Sequence, residues 1–192
     1  MKKKIISYIE DTNRAKRTLI PQIKKIEVAI NKISVCCSNG NKILLCGNGG
    51  SAADAQHLAA EMIVRLRPKI NRKAYPAMSL AMDSSTLTAC GNDYSFDDLF
   101  SRSLEAFGKQ GDILIVISTS GNSKNILNVL KRAKQKKIYS IGFFGNKGGK
   151  AKKLCNLPLI VQSTSTARIQ EAQIFLGHFI LENVENNLIS KK

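Results

Sequence analysis

The runs Lys42-Ile-Leu-Leu-Cys46 and Asp112-Ile-Leu-Ile-Val-Ile117 decide the fold, because each is an apolar segment of strand length that leads directly into small polar residues. The first enters Gly47-Asn-Gly-Gly-Ser51 and the second Ser118-Thr-Ser-Gly-Asn-Ser123, and helical periodicity follows both turns. Continuous apolar strands belong to a parallel sheet covered on both faces, where no side chain points to water. A strand, a small-residue turn and a helix start also present unpaired backbone N–H groups and the positive end of a helix dipole. The pattern predicts an anion cradle, built twice on an α/β scaffold.

Outward from these two units the chain alternates strands and helices. Strands are expected over 42–46, 76–82, 112–117, 138–143 and 157–161, and helices over 51–67, 96–107, 123–136, 148–154 and 167–189. Residues 4–38 read as helical on Ile5, Ile9, Leu19, Ile23, Ile26, Ile30 and Ile33, with Pro21 dividing or kinking the segment. The expectation is one domain over 1–192: a doubly wound, five-stranded parallel sheet flanked by helices over 41–192, preceded by a helical extension over 1–40. The basic, proline-containing stretch from Arg65 to Pro76 lacks periodicity and is expected to be an exposed, mobile loop.

A chain of 192 residues with 43% hydrophobic residues can bury one substantial core. The basic start resembles a secretion signal until Glu10 and Asp11 interrupt it, and no apolar run has the length of a membrane span. Five cysteines without C-x-x-C spacing fit neither a disulfide scaffold nor a thiolate zinc site, so a reducing, cytoplasmic setting is expected. The formal charge of +16 comes from scattered lysine clusters without interleaved aromatics, which argues against nucleic acid and for a solvated surface that attracts small anions.

The chemistry-bearing positions are few. Gly47-x-Gly49-x-x-Ala52 satisfies a dinucleotide fingerprint formally, but no acidic residue stands about 20 positions on to hold a ribose. Gly148-Gly149-Lys150 lacks the rest of a nucleotide-binding P-loop. The second turn offers four hydroxyls, Ser118, Thr119, Ser120 and Ser123, where an ordinary helix cap needs one; a phosphate monoester suits it. His57 and Glu61, four apart on one helix, share a face, and the pair reads either as a grip on a metal or substrate or as a surface hydrogen bond. His178 lies in an apolar stretch where a core histidine is the default, and Gln170 and Glu171 suit a helix start. Eight helical residues separate Gln170 from His178 by about 12 Å of rise, so one ion reaches both only at full stretch or with help from a neighbouring subunit.

With these residues placed, the chain resembles the phosphoheptose isomerases of the sugar isomerase (SIS) domain superfamily over nearly its whole length. The resemblance rests on Cys46-Gly-Asn-Gly-Gly-Ser-Ala-Ala-Asp-Ala-Gln-His57, Gly91-Asn-Asp93-Tyr-Ser-Phe96, Ile117-Ser-Thr-Ser-Gly-Asn-Ser123 and Ala167-Arg-Ile-Gln-Glu171. It implies a cytoplasmic homotetramer, with active sites near subunit interfaces and the N-terminal helices serving packing and oligomerisation. The implied reaction converts sedoheptulose 7-phosphate to D-glycero-D-manno-heptose 7-phosphate, the entry to bacterial surface heptose synthesis. It further implies one Zn2+ per subunit on His57, Glu61, Gln170 and His178. Sugar contacts are implied for Asn48, Gly49, Gly50, Ser51, Glu61, Asn92, Asp93 and Gln170, and phosphate contacts for Ser118, Thr119, Ser120 and Ser123. Gln173 departs from the family, which commonly has histidine two residues after the Gln-Glu pair; the basic stretch from Arg65 to Lys73 is a second departure.

Moving a carbonyl between adjacent carbons needs one proton removed, one returned next door, and an enediolate stabilised between the steps. Glu61 and His178 are the expected catalytic pair, with Glu61 the base; zinc then either polarises the carbonyl or holds the residues. Two rivals share the fold. A non-catalytic relative that binds the replication initiator DnaA lacks the helix glutamate, so Glu61 and Gly50 favour the enzyme, and a sugar-phosphate sensor usually carries an attached DNA-binding domain.

Overall fold

A computed structural model describes residues 1–81 and 83–190. The chain opens with α1 (Lys2–Arg17), a 3-10 turn at Ile20–Gln22 and α2 (Ile23–Ser38). Pro21 falls in the 3-10 turn and divides the helical segment there. Then follow β1 (Ile43–Gly47), α3 (Gly50–Ile63), β2 (Ala77–Ser79), α4 (Ser84–Asp93), α5 (Leu99–Phe107) and β3 (Ile113–Ser118). The chain continues through α6 (Lys124–Gln135), β4 (Tyr139–Gly145), a 3-10 turn at Ala151–Lys153, β5 (Leu157–Val161) and α7 (Thr166–Ile189).

The five strands are parallel in the order β2-β1-β3-β4-β5. From β1 the chain builds one way to β2, then returns across β1 to place β3 on its other side. That reversal opens a crevice above the carboxyl ends of β1 and β3, the place where ligands of open α/β sheets bind. All residues of β1 and β3 are buried, as their apolar sequence requires. Ile43, Leu45, Ile113, Ile115 and Ile117 face a core shared with α2, α3 and α7; Leu44, Cys46, Leu114 and Val116 face one shared with α4, α5 and α6. At the other end of these strands the Asp112 carboxylate, fully buried, accepts from the Lys42 backbone N–H (3.0 Å), the Lys42 ammonium (2.6 Å) and the Lys109 N–H (2.8 Å).

Several expectations are corrected, among them the short helix expected over 148–154, which is only a 3-10 turn at Ala151–Lys153. The strand expected over 76–82 is only three residues long, with Ala81 in a turn; Met82 lies outside the described residues, as do Lys191 and Lys192 of the expected domain. The helix expected over 51–67 stops at Ile63. Helix α4 is new: its hydroxyl-rich sequence has little helix propensity and buries only Cys90, and it starts where the Asp83 carboxylate accepts from the Thr86 N–H at 2.6 Å.

The stretch Arg65–Pro76 is not the free loop its charge suggested. Glu185 of α7, itself 2% exposed, accepts from Arg72 Nε at 2.6 Å on one oxygen and from Arg67 Nε at 2.7 Å on the other. Arg67 also donates to the Asn186 amide oxygen. The basic segment is thereby strapped along the last helix. Burial raises the Glu185 carboxyl, but the two guanidiniums more than offset this and hold it below its ordinary range. A folded-state pKa depressed in this way adds stability that is present above the unfolded carboxylate pKa and lost as pH falls through the folded value. In urea unfolding, Glu185→Gln is expected to cost about 2–3 kcal/mol near pH 7, with the difference from wild type shrinking below about pH 5.

Candidate active site

His57 and Glu61 stand one turn apart on α3, and His178 lies on α7, 121 positions further along the chain than His57. The two helices meet at Gly177, where an added Cβ would lie 2.6 Å from Leu58 Cδ1; only a hydrogen fits between them. Leu58 and Gly177 are the chain neighbours of the two histidines, so this contact sets the distance between the imidazoles. His57 Nε2 and His178 Nε2 approach to 2.8 Å, with the rings edge to face. Glu61 Oε1 lies 3.4 Å from His57 Nε2. One ligand atom from each of the three residues lies within 4.8 Å of the others. His57 is half exposed, so the cluster opens to solvent on the His57 side.

Two nitrogens and a carboxylate oxygen form a donor set that suits Zn2+. At 2.8 Å the imidazoles share a proton in a hydrogen bond; neighbouring ligands on a tetrahedral ion stand about 3.3 Å apart, a movement of a few tenths of an ångström. The residues therefore fit the metal. Asp54, one turn before His57, has a buried Oδ2 without a hydrogen-bond partner among the described residues. Burial pushes its carboxyl up, opposed by the two imidazoles.

The glycine turn lies beside this cluster at the start of α3. Gly49 caps the helix with φ +57°, and Ser51 is buried. A Cβ on Gly50 would stand 2.7 Å from Gln170 Nε2, so the Gln170 amide rests directly on the turn. The Asn48 and Asn125 side-chain amides exchange two hydrogen bonds of 2.9 Å, a neutral strut from the first turn to the helix start after the second.

The second turn is shaped by its own side chains. Ser118 Oγ accepts from the Gly121 N–H (3.0 Å) and Ser120 Oγ from the Asn122 N–H (3.2 Å), which leaves each hydroxyl proton to donate elsewhere. Ser123 caps α6 without a side-chain bond, and the Thr119 hydroxyl makes none among the described residues. The loop after β4 backs the turn: the Ala151 N–H donates to the Gly121 carbonyl and the Lys150 N–H to the Asn122 amide oxygen. Gln173, fully buried, donates to the Phe143 carbonyl at 2.8 Å and the Ser118 carbonyl at 3.4 Å, which ties α7 to the strand ends beneath the turn. Asn92 and Asp93 end α4 in exposed positions, and their side chains bond each other.

The sequence therefore names the clustered triad and both turns, while Asp54, Asn125 and the bonds of Gln173 come from the structure. Asn125 has no signal of its own, since a polar residue in a first helical turn is unremarked. The sequence pattern of the SIS domain family matches residues 7–145. The chain belongs to that family. It is 46% identical to the phosphoheptose isomerase of Clostridium acetobutylicum over 100% of this chain and 98% of that one. It is 41% identical to the phosphoheptose isomerase of Burkholderia pseudomallei over the whole of both chains. The solved phosphoheptose isomerase of Neisseria gonorrhoeae superposes with a TM-score of 0.89 at 38% identity, covering 96% of this chain and 98% of the other. That of Francisella tularensis gives 0.88 at 34%, covering 96% and 97%. At these identities the SIS-domain chain is a member of the phosphoheptose isomerases within the family.

Because Gly177 sets the spacing of the two histidines, Gly177→Ala is expected to cost about 1–3 kcal/mol of stability by overpacking. Calorimetric titration of the same variant with Zn2+ is expected to show affinity at least tenfold weaker than wild type.

Proposed function

We propose that the chain interconverts sedoheptulose 7-phosphate and D-glycero-D-manno-heptose 7-phosphate. The observation that carries this reading is the convergence of a carboxylate and two imidazoles, from α3 and α7, beside a crevice that ends in a phosphate-type turn. As a phosphoheptose isomerase by family, the chain is an isomerase acting on a sugar phosphate.

The sugar's phosphate sits on the second turn, where Ser118, Thr119, Ser120 and Ser123 donate hydroxyl protons and the start of α6 adds backbone N–H groups and its dipole. Asn48, Gly49, Gly50 and Ser51 hold the sugar from the first turn, with Gln170, Asn92 and Asp93 completing the contacts. Glu61 takes the proton from the hydroxyl-bearing carbon and returns it to the neighbouring carbon of the enediolate, while His178 passes the hydroxyl proton to the former carbonyl oxygen, so that two residues on opposing helices divide the proton transfers. His57, Glu61, Gln170 and His178 would hold a Zn2+ ion, which would supply positive charge for the developing enediolate. The Gln170 amide rests on the glycine turn at Gly50, at the start of the helix that carries His57 and Glu61.

The chain assembles as a homotetramer in this reading. Ile5, Ile6, Ile9, Ile20 and Ile23 of the N-terminal segment are exposed, and so are Phe175 and Phe179 of α7. An apolar groove between these elements is lined by Leu19, Ile20, Ile23, Ile26, Phe175 and Phe179. Surface of this kind is buried in stable oligomers, and residues of a neighbouring copy placed there lie on the helix that carries His178.

Turnover of sedoheptulose 7-phosphate, followed by formation of the aldose, tests the assignment. Glu61→Gln and His178→Ala are each expected to lower kcat at least a hundredfold, the scale of lost acid–base catalysis. A variant that retains wild-type turnover removes its residue from the catalytic pair. Chelation is expected to abolish turnover and added Zn2+ to restore it; full activity in the metal-free protein would rule out an essential ion.

A further inference from the structure

Helix α3 ends at Ile63 without glycine, asparagine or a side-chain cap of its own, although Glu61 sits in its last turn. The Ala60 carbonyl of that turn accepts from the Val64 N–H at 2.8 Å, but those of Glu61 and Met62 have no partner within the helix. They find one in Arg72. Its Nη2 donates to the Glu61 carbonyl at 2.7 Å, and its Nη1 to the Met62 carbonyl and the Lys73 carbonyl at 2.9 Å each. Its Nε is fixed by Glu185 at 2.6 Å, its side chain is 3% exposed, and its guanidinium packs on the Tyr75 ring. The Tyr75 N–H adds a backbone bond to the Met62 carbonyl. Arg67 binds the same Glu185 but donates to no carbonyl of α3 among the described residues.

We propose that Arg72 is a positioning residue for the isomerase reaction: anchored by Glu185 on α7, its guanidinium caps the last turn of α3 and thereby holds the Glu61 carboxylate beside His57 and within 4.8 Å of the His178 ring nitrogen. This rests on the functional reading above. A planar fork with several donors can bridge two successive carbonyls and a carboxylate at once, which a lysine cannot do. A cation at a helix carboxyl end is also favourable to the helix dipole. Glu185 lies two turns beyond His178 on the same helix, so the clamp references the base to the element that carries its partner. The phosphate turn lies elsewhere, at the end of β3, and the clamp does not touch it.

The test compares Arg72→Met, Arg72→Lys and Arg67→Met in the full chain, at a temperature where circular dichroism shows all three folded. The expected result is a kcat for Arg72→Met at least tenfold below wild type with KM within threefold, and a kcat for Arg67→Met within twofold. In a Glu61→Gln background, Arg72→Met is expected to leave kcat unchanged, since the residue acts only through that carboxylate. Hydrogen exchange read without substrate is expected to quicken at least tenfold at amides 60–64 in Arg72→Met, with β3 amides unchanged. Should Arg72→Met not fold, Arg72→Lys carries the test, because it keeps the pairing with Glu185 but not the two carbonyl bonds. Equal kcat losses at Arg67 and Arg72, a further loss in the Glu61→Gln background, or unaltered exchange at 60–64 would each overturn the proposal. An inactive wild-type protein is a failure of the functional reading instead, recognised before any variant is compared, and the exchange result still reports on the cap.

Discussion

The contact of Gly177 with Leu58 governs the arrangement of the chemistry. Two helices from distant parts of the chain approach until only a hydrogen atom fits between them, and each carries a histidine immediately beside that contact. The sheet places α3 and α7 on the same face but does not fix their separation to the few tenths of an ångström that a shared proton or a shared ion requires. Packing does, because interiors are filled and do not yield gradually. The imidazole pair and the Glu61 carboxylate therefore owe their geometry to an apolar contact that takes no part in the reaction.

Much of this was legible in the sequence. The strands announced themselves as unbroken apolar runs, and burial of every residue in β1 and β3 is the direct physical counterpart. The triad residues were visible because histidine is rare in the chain and His57 and Glu61 share a helical face. What remained hidden depends on distance in sequence. Helix α4 is held by a carboxylate cap rather than by an apolar stripe, so periodicity passes over it. Asn125 looks like any polar residue near a helix start until Asn48, 77 positions away, is found opposite. Arg72 reads as one more surface charge, and only Glu185 together with two helix carbonyls turns it inward.

The departure at Gln173 has a physical account. A glutamine there can donate to two strand carbonyls at once from a fully buried position, Phe143 and Ser118, although its own carbonyl oxygen is left without a partner among the described residues. That oxygen is an energetic liability, since an unpaired buried acceptor costs about 1–3 kcal/mol.

The strands that flank the crevice are joined at both ends: Asp112 gathers Lys42 and the Lys109 N–H beneath them, and the Asn48–Asn125 amides bridge above. The separation of the two strands is thus held by a charged clasp at their amino ends and by a neutral one beside the crevice. A molecule entering it finds the loops already ordered, so the entropy of arranging them was spent once, during folding, and is not charged to each encounter. Preorganisation of this kind lowers the ordering cost of binding, so that a ligand held between the two turns needs fewer contacts to stay there.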